Sequence, residues 1–222
     1  MSAVKALVPM RHHSQRVPGK NYRPLAGKPL FHYILDTLLK VDMIEQIVVD
    51  TDSEVIKKGI REYFPEVQIL DRPLALSADE ISMNEIINHD LSRLEGEFFL
   101  QTHSTNPFLT EKTLLKAVRT FFDHYPDHDS LFSVTPLHTR LWNKNGQPLN
   151  HDPRVLLQTQ DLPPVYEENS CLYIFPRKVF QDKDNRIGDR PYLFEISPEE
   201  AWDIDTELDF QISDCLMQER RK

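Results

Sequence analysis

Cysteine, glycine and long apolar runs are all scarce in this chain. Only two cysteines occur among its 222 residues, Cys171 and Cys215, and they form no Cys-x-x-Cys motif. This usage excludes a disulfide scaffold and a cysteine-rich zinc fold, and it favours a reducing compartment. The six glycines are too few for collagen-like or flexible low-complexity classes. Because no apolar run is long enough to span a membrane and residues 1–10 are too weakly apolar for a signal peptide, we expect a cytoplasmic protein without membrane partners.

Basic residues are concentrated at one end of an acidic chain. Lys and Arg number 26 against 35 Asp and Glu, a net charge of -9, which argues against a nucleic-acid partner. Residues 1–35 nevertheless carry several basic side chains and no acidic one, since Asp36 is the first carboxylate. Such an island predicts an anionic ligand bound at one place. The alternative is a chance cluster of charges on a solvated face.

Alternating apolar segments predict an α/β fold in a single domain, residues 1–222. Strands are expected at 4–9, 46–50, 67–70 and 98–101, and helices at 30–39, 53–63, from Ser82 onward, and at 111–122. Ser53 is a plausible helix cap, and Ser82 with Glu85 forms a capping box. The order favours a doubly wound, mostly parallel sheet with helices on both faces. The basic loop 11–29 follows the first strand, at the edge where such sheets bind ligands.

The second half of the chain has a different character. Residues 136–164 are polar and interrupted by proline, and we interpret them as a protruding arm because no compact core needs so long a connection. The arm also carries apolar side chains that need burial, which predicts a homodimer with the arm at its interface. A strand is expected at 171–175, another ending within 201–206, and a closing helix at 207–219.

Several common nucleotide and hydrolase motifs are absent. The chain has no G-x-G-x-x-G, no G-x-x-x-x-G-K-[ST] and no G-x-S-x-G. Residues 11–21 instead combine three basic side chains between a strand and a helix. Arg11, Arg16 and Lys20 could neutralise a triphosphate, and Asn21 has the donors and acceptor that suit a base edge.

Two carboxylates stand close together near the other end of the chain. Asp203 and Asp205 are two residues apart, so they point to one side of an extended segment. Paired carboxylates suit Mg²⁺, which takes a few protein oxygens and completes its shell with phosphate and water. The alternative is that Asp205 or Thr206 only caps the helix that starts near Glu207.

These segments resemble the acylneuraminate and ketodeoxyoctonate cytidylyltransferases over nearly the whole chain. The family loop Arg-x-x-Ser-Lys-x-Ile-Pro-x-Lys-Asn is matched at Arg11, Ser14, Pro18, Lys20 and Asn21, with Val17 in place of isoleucine. Further matches follow in order: Asp50-Thr51-Asp52-Ser53, Arg72-Pro73 with Leu76, Asp79 and Ser82, then Asn169 with Tyr173, and Asp203-Ile204-Asp205-Thr206. Each match alone is weak, whereas the ordered set is specific.

The resemblance implies a Rossmann-like nucleotidyltransferase that joins CMP from CTP to an acidic sugar and releases pyrophosphate, with Mg²⁺ on Asp203 and Asp205. It also implies a homodimer. The residues implied at the nucleotide are Arg11, Ser14, Gln15, Arg16, Lys20, Asn21, Arg72, Asp79 and Ser82, and those at the acceptor are Gln101, His103, Asn169 and Tyr173. Arg11, Lys20, Asp203 and Asp205 are the expected catalytic residues.

Two departures from the family pattern bear on this interpretation. The loop lysine of the family is replaced by Gln15, and Arg16 follows it, so we expect Arg16 to supply the charge from the next position. The glutamine expected at the acceptor is replaced by His103, and Gln101 is a possible substitute on the same side of a strand. Acceptors left open are a sialic-acid-like nonulosonate, ketodeoxyoctonate and a phosphonate. A nucleotide-binding protein without catalysis and an enzyme using UTP or GTP on a sugar phosphate are the competing functions.

Overall fold

A seven-stranded sheet organises the computed structural model, which describes residues 3–220. Its strands run β5-β4-β1-β6-β8-β7-β9 across the sheet. Their bounds are β1 Val4–Leu7, β4 Ile44–Thr51, β5 Gln68–Asp71, β6 Phe98–Thr102, β7 Ser130–Leu137, β8 Val165–Pro176 and β9 Pro191–Glu195. β2 Pro24–Leu25 and β3 Lys28–Pro29 form a separate small antiparallel pair. β8 runs antiparallel to both of its neighbours, and all other pairs in the large sheet are parallel. The expected mostly parallel sheet is therefore confirmed.

Six α-helices are described within residues 3–220, and they cover the sheet. They are α1 Leu30–Leu38, α2 Glu54–Tyr63, α3 Met83–Arg93, α4 Glu111–His124, α5 Arg177–Lys183 and α6 Glu207–Glu219. Ser53 caps α2 by accepting from the backbone N–H of Ile56 at 3.4 Å. Ser82 begins α3 with the expected capping box, and Thr206 begins α6 with another. These caps satisfy N–H groups that a helix start leaves without partners.

Both faces of the sheet bury apolar side chains, as a doubly wound arrangement requires. Neighbouring residues of β4 point to opposite faces of the sheet. Val49 belongs to the apolar cluster that includes residues of α1, α2 and α4, whereas Val48 belongs to the cluster that includes residues of α3 and α5. Side chains alternate across a strand, so a strand covered on both sides is apolar at successive positions. This explains why the short runs in β1 and β4 could be identified from sequence.

Three details of the second half differ from expectation. β7 and β9 were not expected, and β8 starts at Val165, six residues before the expected strand. Residues 201–206 are part of the described chain but form no strand. They form a loop instead, with the backbone N–H of Ile204 donating to Thr105 at 3.0 Å. The buried Ile204 side chain gave this segment the appearance of a strand end.

The predicted arm is the long connection between the antiparallel strands β7 and β8. Their pairing continues to Leu137 and Val165, so residues 138–164 emerge from one end of a hairpin. A β-bridge between Trp142 and Pro148 orders part of the connection. Several apolar side chains of the arm are solvent-exposed: Trp142, Leu149, Val155, Leu156 and Leu157. In the described part of the chain, no helix is long and apolar enough to cross a membrane.

Candidate active site

A cleft of about 530 Å³ opens where the loops after the parallel strands meet. Parallel sheets bind ligands at this edge because helix starts and loop backbones converge there. Predicted residues that line the cleft are Arg11, Ser14, Gln15, Arg16, Lys20, Asn21, Arg72, Asp79, His103, Asn169, Asp203 and Asp205. The structure thus brings together side chains from five separate parts of the sequence.

The basic loop is held in shape by its own asparagine. Asn21 donates from Nδ2 to the carbonyl of Arg11 at 2.8 Å and accepts at Oδ1 from the Ser104 hydroxyl at 2.7 Å. Gly19 adopts φ +67°, and a Cβ there would lie 2.9 Å from the Tyr22 ring, so the turn favours glycine. Asn21 therefore fastens the loop to the segment after β6, in addition to lining the cleft.

Lys20 and Arg16 face the acidic end of the chain. Arg16 donates to Asp205 Oδ1 at 2.7 Å, and Lys20 Nζ lies 3.7 Å from the same oxygen. Lys20 also donates to the Ile204 carbonyl at 2.5 Å. Burial lowers the pKa of Lys20, while the charges of Asp203 and Asp205 act in the opposite direction. The loop and the acid pair therefore form one electrostatic unit.

Asp79 contacts the other end of the basic loop. Its carboxylate accepts from the guanidinium of Arg11 and from the side-chain amide of Gln15. The pocket-lining arginine and glutamine thus share a carboxylate supplied by the segment before α3. Any phosphate bound by Arg11 has to share or displace this contact.

The acid pair has the donor chemistry of a divalent-cation site. Asp203 and Asp205 both line the cleft, and burial together with the neighbouring Asp205 charge raises the pKa of Asp203. Thr105 opposes this shift by hydrogen bonding to Asp203. Two carboxylates that repel one another are stabilised when a divalent cation neutralises them. The residues present therefore fit Mg²⁺.

Three of the predicted site residues, Ser82, Gln101 and Tyr173, are not among the described residues that line the cleft. Ser82 is engaged with Glu85 in the capping box, although Ile81 and Met83 beside it line the cleft. Gln101 and Tyr173 are almost fully buried. Their contribution to a ligand is therefore indirect in this structure.

Asn169 lines the cleft while its carboxamide holds the irregular pairing of β7 with β8. Its Nδ2 donates to Thr135 Oγ1 at 2.9 Å, and its Oδ1 accepts from Ser133 Oγ at 2.6 Å. Both partners belong to β7, so Asn169 fixes this part of the cleft wall.

Arg186 was not predicted from sequence, yet it organises the buried residues behind His103. It donates to Gln101 Oε1, and its guanidinium lies 3.9 Å from the centre of the Tyr173 ring. Because the side-chain oxygen of Gln101 faces Arg186, the side-chain nitrogen of Gln101 faces His103 Nε2, at a distance of 3.0 Å. His103 Nε2 must then accept, which assigns the ring proton to Nδ1.

Electrostatics keep the His103 ring neutral. Burial, with smaller contributions from the positive charges of Arg186 and Lys20, lowers the pKa of His103 to about 4. The imidazole is therefore neutral at physiological pH. No local pattern could have identified Arg186, since it stands in a polar segment and reaches the site only through the fold.

Comparisons with known proteins agree with this geometry. A mostly parallel α/β sheet with a basic loop and an acid pair at one edge has the architecture of a nucleotidyltransferase. A family model described as Cytidylyltransferase matches residues 5–219, so the chain belongs to the cytidylyltransferase family. It is thereby an enzyme of the nucleotidyltransferase class.

The relatives differ in length and in the products that their names state. The chain is 25% identical to the post-translational flagellin modification protein B of Campylobacter coli, over 99% of this chain and 97% of that protein. It is 28% identical to the CMP-N,N'-diacetyllegionaminic acid synthase of Legionella pneumophila, over 97% and 96%. It is also 25% identical to an N-acylneuraminate cytidylyltransferase of Streptococcus agalactiae over 92% of this chain, but it spans only 51% of that relative.

Solved structures share the fold. The CMP:2-keto-3-deoxy-manno-octonic acid synthetase complexed with CTP superposes with a TM-score of 0.73 and 16% identity, covering 99% of this chain and 100% of that one. A 4-diphosphocytidyl-2C-methyl-D-erythritol synthase superposes with a TM-score of 0.69 and 13% identity, covering 98% and 100%. At these identities the similarity shows the fold alone.

Proposed function

We propose that this cytidylyltransferase joins CMP from CTP to a sialic-acid-like nonulosonate and releases pyrophosphate, with Mg²⁺. The observation that carries the proposal is the cleft, in which the cations of the basic loop face Asp203 and Asp205. Among the relatives, the legionaminic acid synthase supports a nonulosonate because this chain spans nearly all of its length.

The chain's own residues would act by binding and by neutralising charge. Arg11 and Lys20 stabilise the triphosphate and the departing pyrophosphate, and Arg16 adds charge at the position next to Gln15. The acceptor hydroxyl oxygen forms a bond to the α-phosphorus, the bond from that phosphorus to the β-phosphate oxygen breaks, and the electron pair leaves with pyrophosphate. The hydroxyl proton is lost to solvent.

Asp203 and Asp205 are the residues that would hold the divalent cation. When bound, the cation supplies charge neutralisation at the phosphates and a lower pKa for the attacking hydroxyl. Lys20 extends from the basic loop toward Asp203 and Asp205, and its positive charge would balance the charge of these two carboxylates as the ligands enter.

The acceptor would lie toward His103 and Asn169. Neutral His103 offers a hydrogen-bond donor without a charge, and Asn169 holds the neighbouring wall. Gln101 contacts His103 from behind, and Arg186 joins Gln101 to the Tyr173 ring. The acceptor is thereby recognised by hydrogen bonds at a wall that several strands build.

Two further parts of the proposal concern assembly and location. We infer a homodimer in which residues 138–164 contact a second copy, because the arm exposes apolar side chains such as Leu156, which is 90% exposed. Cys171 and Cys215 are free thiols, which is compatible with a cytoplasmic location.

The experiment is pyrophosphate release with each of the four nucleoside triphosphates against a panel of nonulosonates, ketodeoxyoctonate and phosphonates. We expect CTP to exceed UTP at least about tenfold, since an unmatched base edge in a closed site costs about 1–3 kcal/mol. A preparation of Asp203→Asn made in parallel controls for contaminating activity. Turnover of ketodeoxyoctonate or a phosphonate in preference to every nonulosonate would overturn the acceptor, and CTP binding without turnover would overturn catalysis.

A further inference from the structure

A group of buried ionisable side chains lies behind Arg72, one of the residues that line the cleft. Asp50 is the next-to-last residue of β4, Arg72 follows β5, and His89 and Asp90 lie on α3. Asp50 is 0% exposed and Asp90 is 1% exposed. Potential ligand atoms of Asp50, His89 and Asp90 all lie within 4.8 Å of one another. The proposed reaction uses none of these three residues, although ionisable groups are rarely buried so deeply without a role.

Hydrogen-bond accounting leaves one oxygen of this group without a partner. Asp50 Oδ1 accepts from Arg72 Nε, and the Asp50 carbonyl accepts from the same guanidinium at 3.3 Å. Asp50 Oδ2 is buried and has no hydrogen-bond partner among the described residues. His89 Nδ1 lies 3.7 Å from that oxygen, which is too far for a hydrogen bond. A buried acceptor without a donor is costly, so a donor is required here.

The charges of the group do not balance either. Asp50 and Asp90 would contribute two negative charges and Arg72 one positive charge in a place that water does not reach. Burial raises the pKa of Asp90 to about 9, with further contributions from the Asp50 charge and from a hydrogen bond to Asp50, while Arg72 acts in the opposite direction. A single proton on Asp90 corrects both the charge and the missing donor.

A metal ion would be a second way to neutralise the two carboxylates. The guanidinium of Arg72 already contacts Asp50, however, and because it is buried, unlike the exposed Arg16 beside Asp205, it cannot move aside for a cation. A metal there would also leave Arg72 without its anionic partner. A proton avoids both conflicts.

We propose that Asp90 keeps its proton at neutral pH and donates it to Asp50, so that the carboxyl pair acts as a positioning device for Arg72 in the nucleotide cleft. With this proton in place, the pair carries a single negative charge, which is on Asp50 and faces Arg72. The hydrogen bond from Asp90 to Asp50 also joins α3 to β4. The guanidinium is then held between β4 and the cleft before any ligand arrives. This role rests on the proposed function only in that Arg72 lines the nucleotide cleft.

Variants at position 90 separate a proton donor from a carboxylate. Asp90→Asn keeps the shape and a donor, whereas Asp90→Leu keeps the approximate shape without a donor. We expect Asp90→Asn to leave the KM for CTP within about twofold of the parent, while Asp90→Leu raises it about tenfold, the scale of one unsatisfied buried acceptor. Asp50→Asn, which removes the charge facing Arg72, should raise the KM for CTP at least as much, with a smaller effect on kcat.

Folding stability offers a second readout that does not depend on activity. Asp90 retains its proton in the folded state and loses it near pH 3.8 when unfolded, so it lowers stability increasingly as the pH rises from about 4 to about 9. The ionisable groups that face it are Asp50 from β4, Arg72 after β5 and His89 on α3. The melting temperature of Asp90→Asn should therefore gain on the parent as pH rises over this range. Asp42→Asn, an exposed position, is the matched control and should show no such gain.

Carboxyl-carbon NMR titration of Asp90 measures the proton directly. A midpoint above pH 7 is expected. The proposal would be overturned by a titration midpoint near pH 4 or by equal KM values for CTP in Asp90→Asn and Asp90→Leu. It would also be overturned if the parent bound one equivalent of metal that Asp90→Asn lost. Absence of cytidylyltransferase activity would refute the proposed function while leaving the titration and melting measurements as a test of the proton.

Discussion

Replacing Lys20 by alanine is the most direct test of the electrostatic unit in the cleft. The Lys20 side chain is only 13% exposed, and its ammonium lies between the Ile204 carbonyl at 2.5 Å and Asp205 at 3.7 Å. Removing it takes away a nearly buried cation from a place where the triphosphate and the acid pair would meet.

The size of the effect follows from the separation of the charges. Two unit charges about 4 Å apart interact by about 4 kcal/mol at an effective dielectric constant of about 20. Part of that attraction is already directed at Asp203 and Asp205, so only the remainder acts on the phosphates. Loss of one preorganised electrostatic contact typically costs about 10²–10³-fold in rate. We therefore expect Lys20→Ala to lower kcat/KM for CTP about 100-fold.

The assay is steady-state pyrophosphate release against CTP concentration at fixed acceptor. Lys40→Ala, an exposed lysine just after α1, controls for the loss of a positive charge elsewhere and should change kcat/KM by less than about twofold. Arg16→Ala in the same series tests whether the charge absent at Gln15 has moved one position along the loop. A normal rate for Arg16→Ala would reject that relocation.

Thermal melting of each variant separates a loss of function from a loss of fold. The electrostatic reasoning would be refuted if Lys20→Ala melted normally and kept a kcat/KM within about threefold of the parent. The buried ammonium of Lys20 would then have no substantial effect on the substrate.

Asp203→Asn and Asp205→Asn should each cut turnover at least about 100-fold and shift the Mg²⁺ dependence to higher concentration, because the amide loses the charge that binds the cation. If the residues were only helix caps, titration of turnover with Mg²⁺ would show near-parental rates and an unshifted midpoint. His103 has its pKa lowered from 6.5 to about 4, so it should reduce stability as the pH falls from about 6.5 to about 4; melting of His103→Gln should show less of this acid loss. Light scattering at micromolar concentration should give twice the monomer mass, and deletion of residues 142–158 should give a monomer; a monomeric parent would reject the arm as an interface.

The class of fold and most of the cleft residues can be predicted from the sequence. Buried strands covered on both faces, such as β1 and β4, are apolar at successive positions, and helix starts are marked by local caps such as Ser53 and Ser82. The basic loop could be placed at the binding edge because it follows the first strand directly. Local pattern also marked Asp203 and Asp205, although the segment that holds them is a loop rather than a strand.

How these residues pair with one another depends on the three-dimensional fold. Arg16 meets Asp205, Arg11 meets Asp79, and Arg186 reaches Gln101 across 85 positions of sequence. Such contacts depend on which strands become neighbours, and two of the strands, β7 and β9, are not predicted from the sequence. Burial likewise decides protonation, because the cost of a charge depends on the atoms packed around it rather than on its neighbours in the chain.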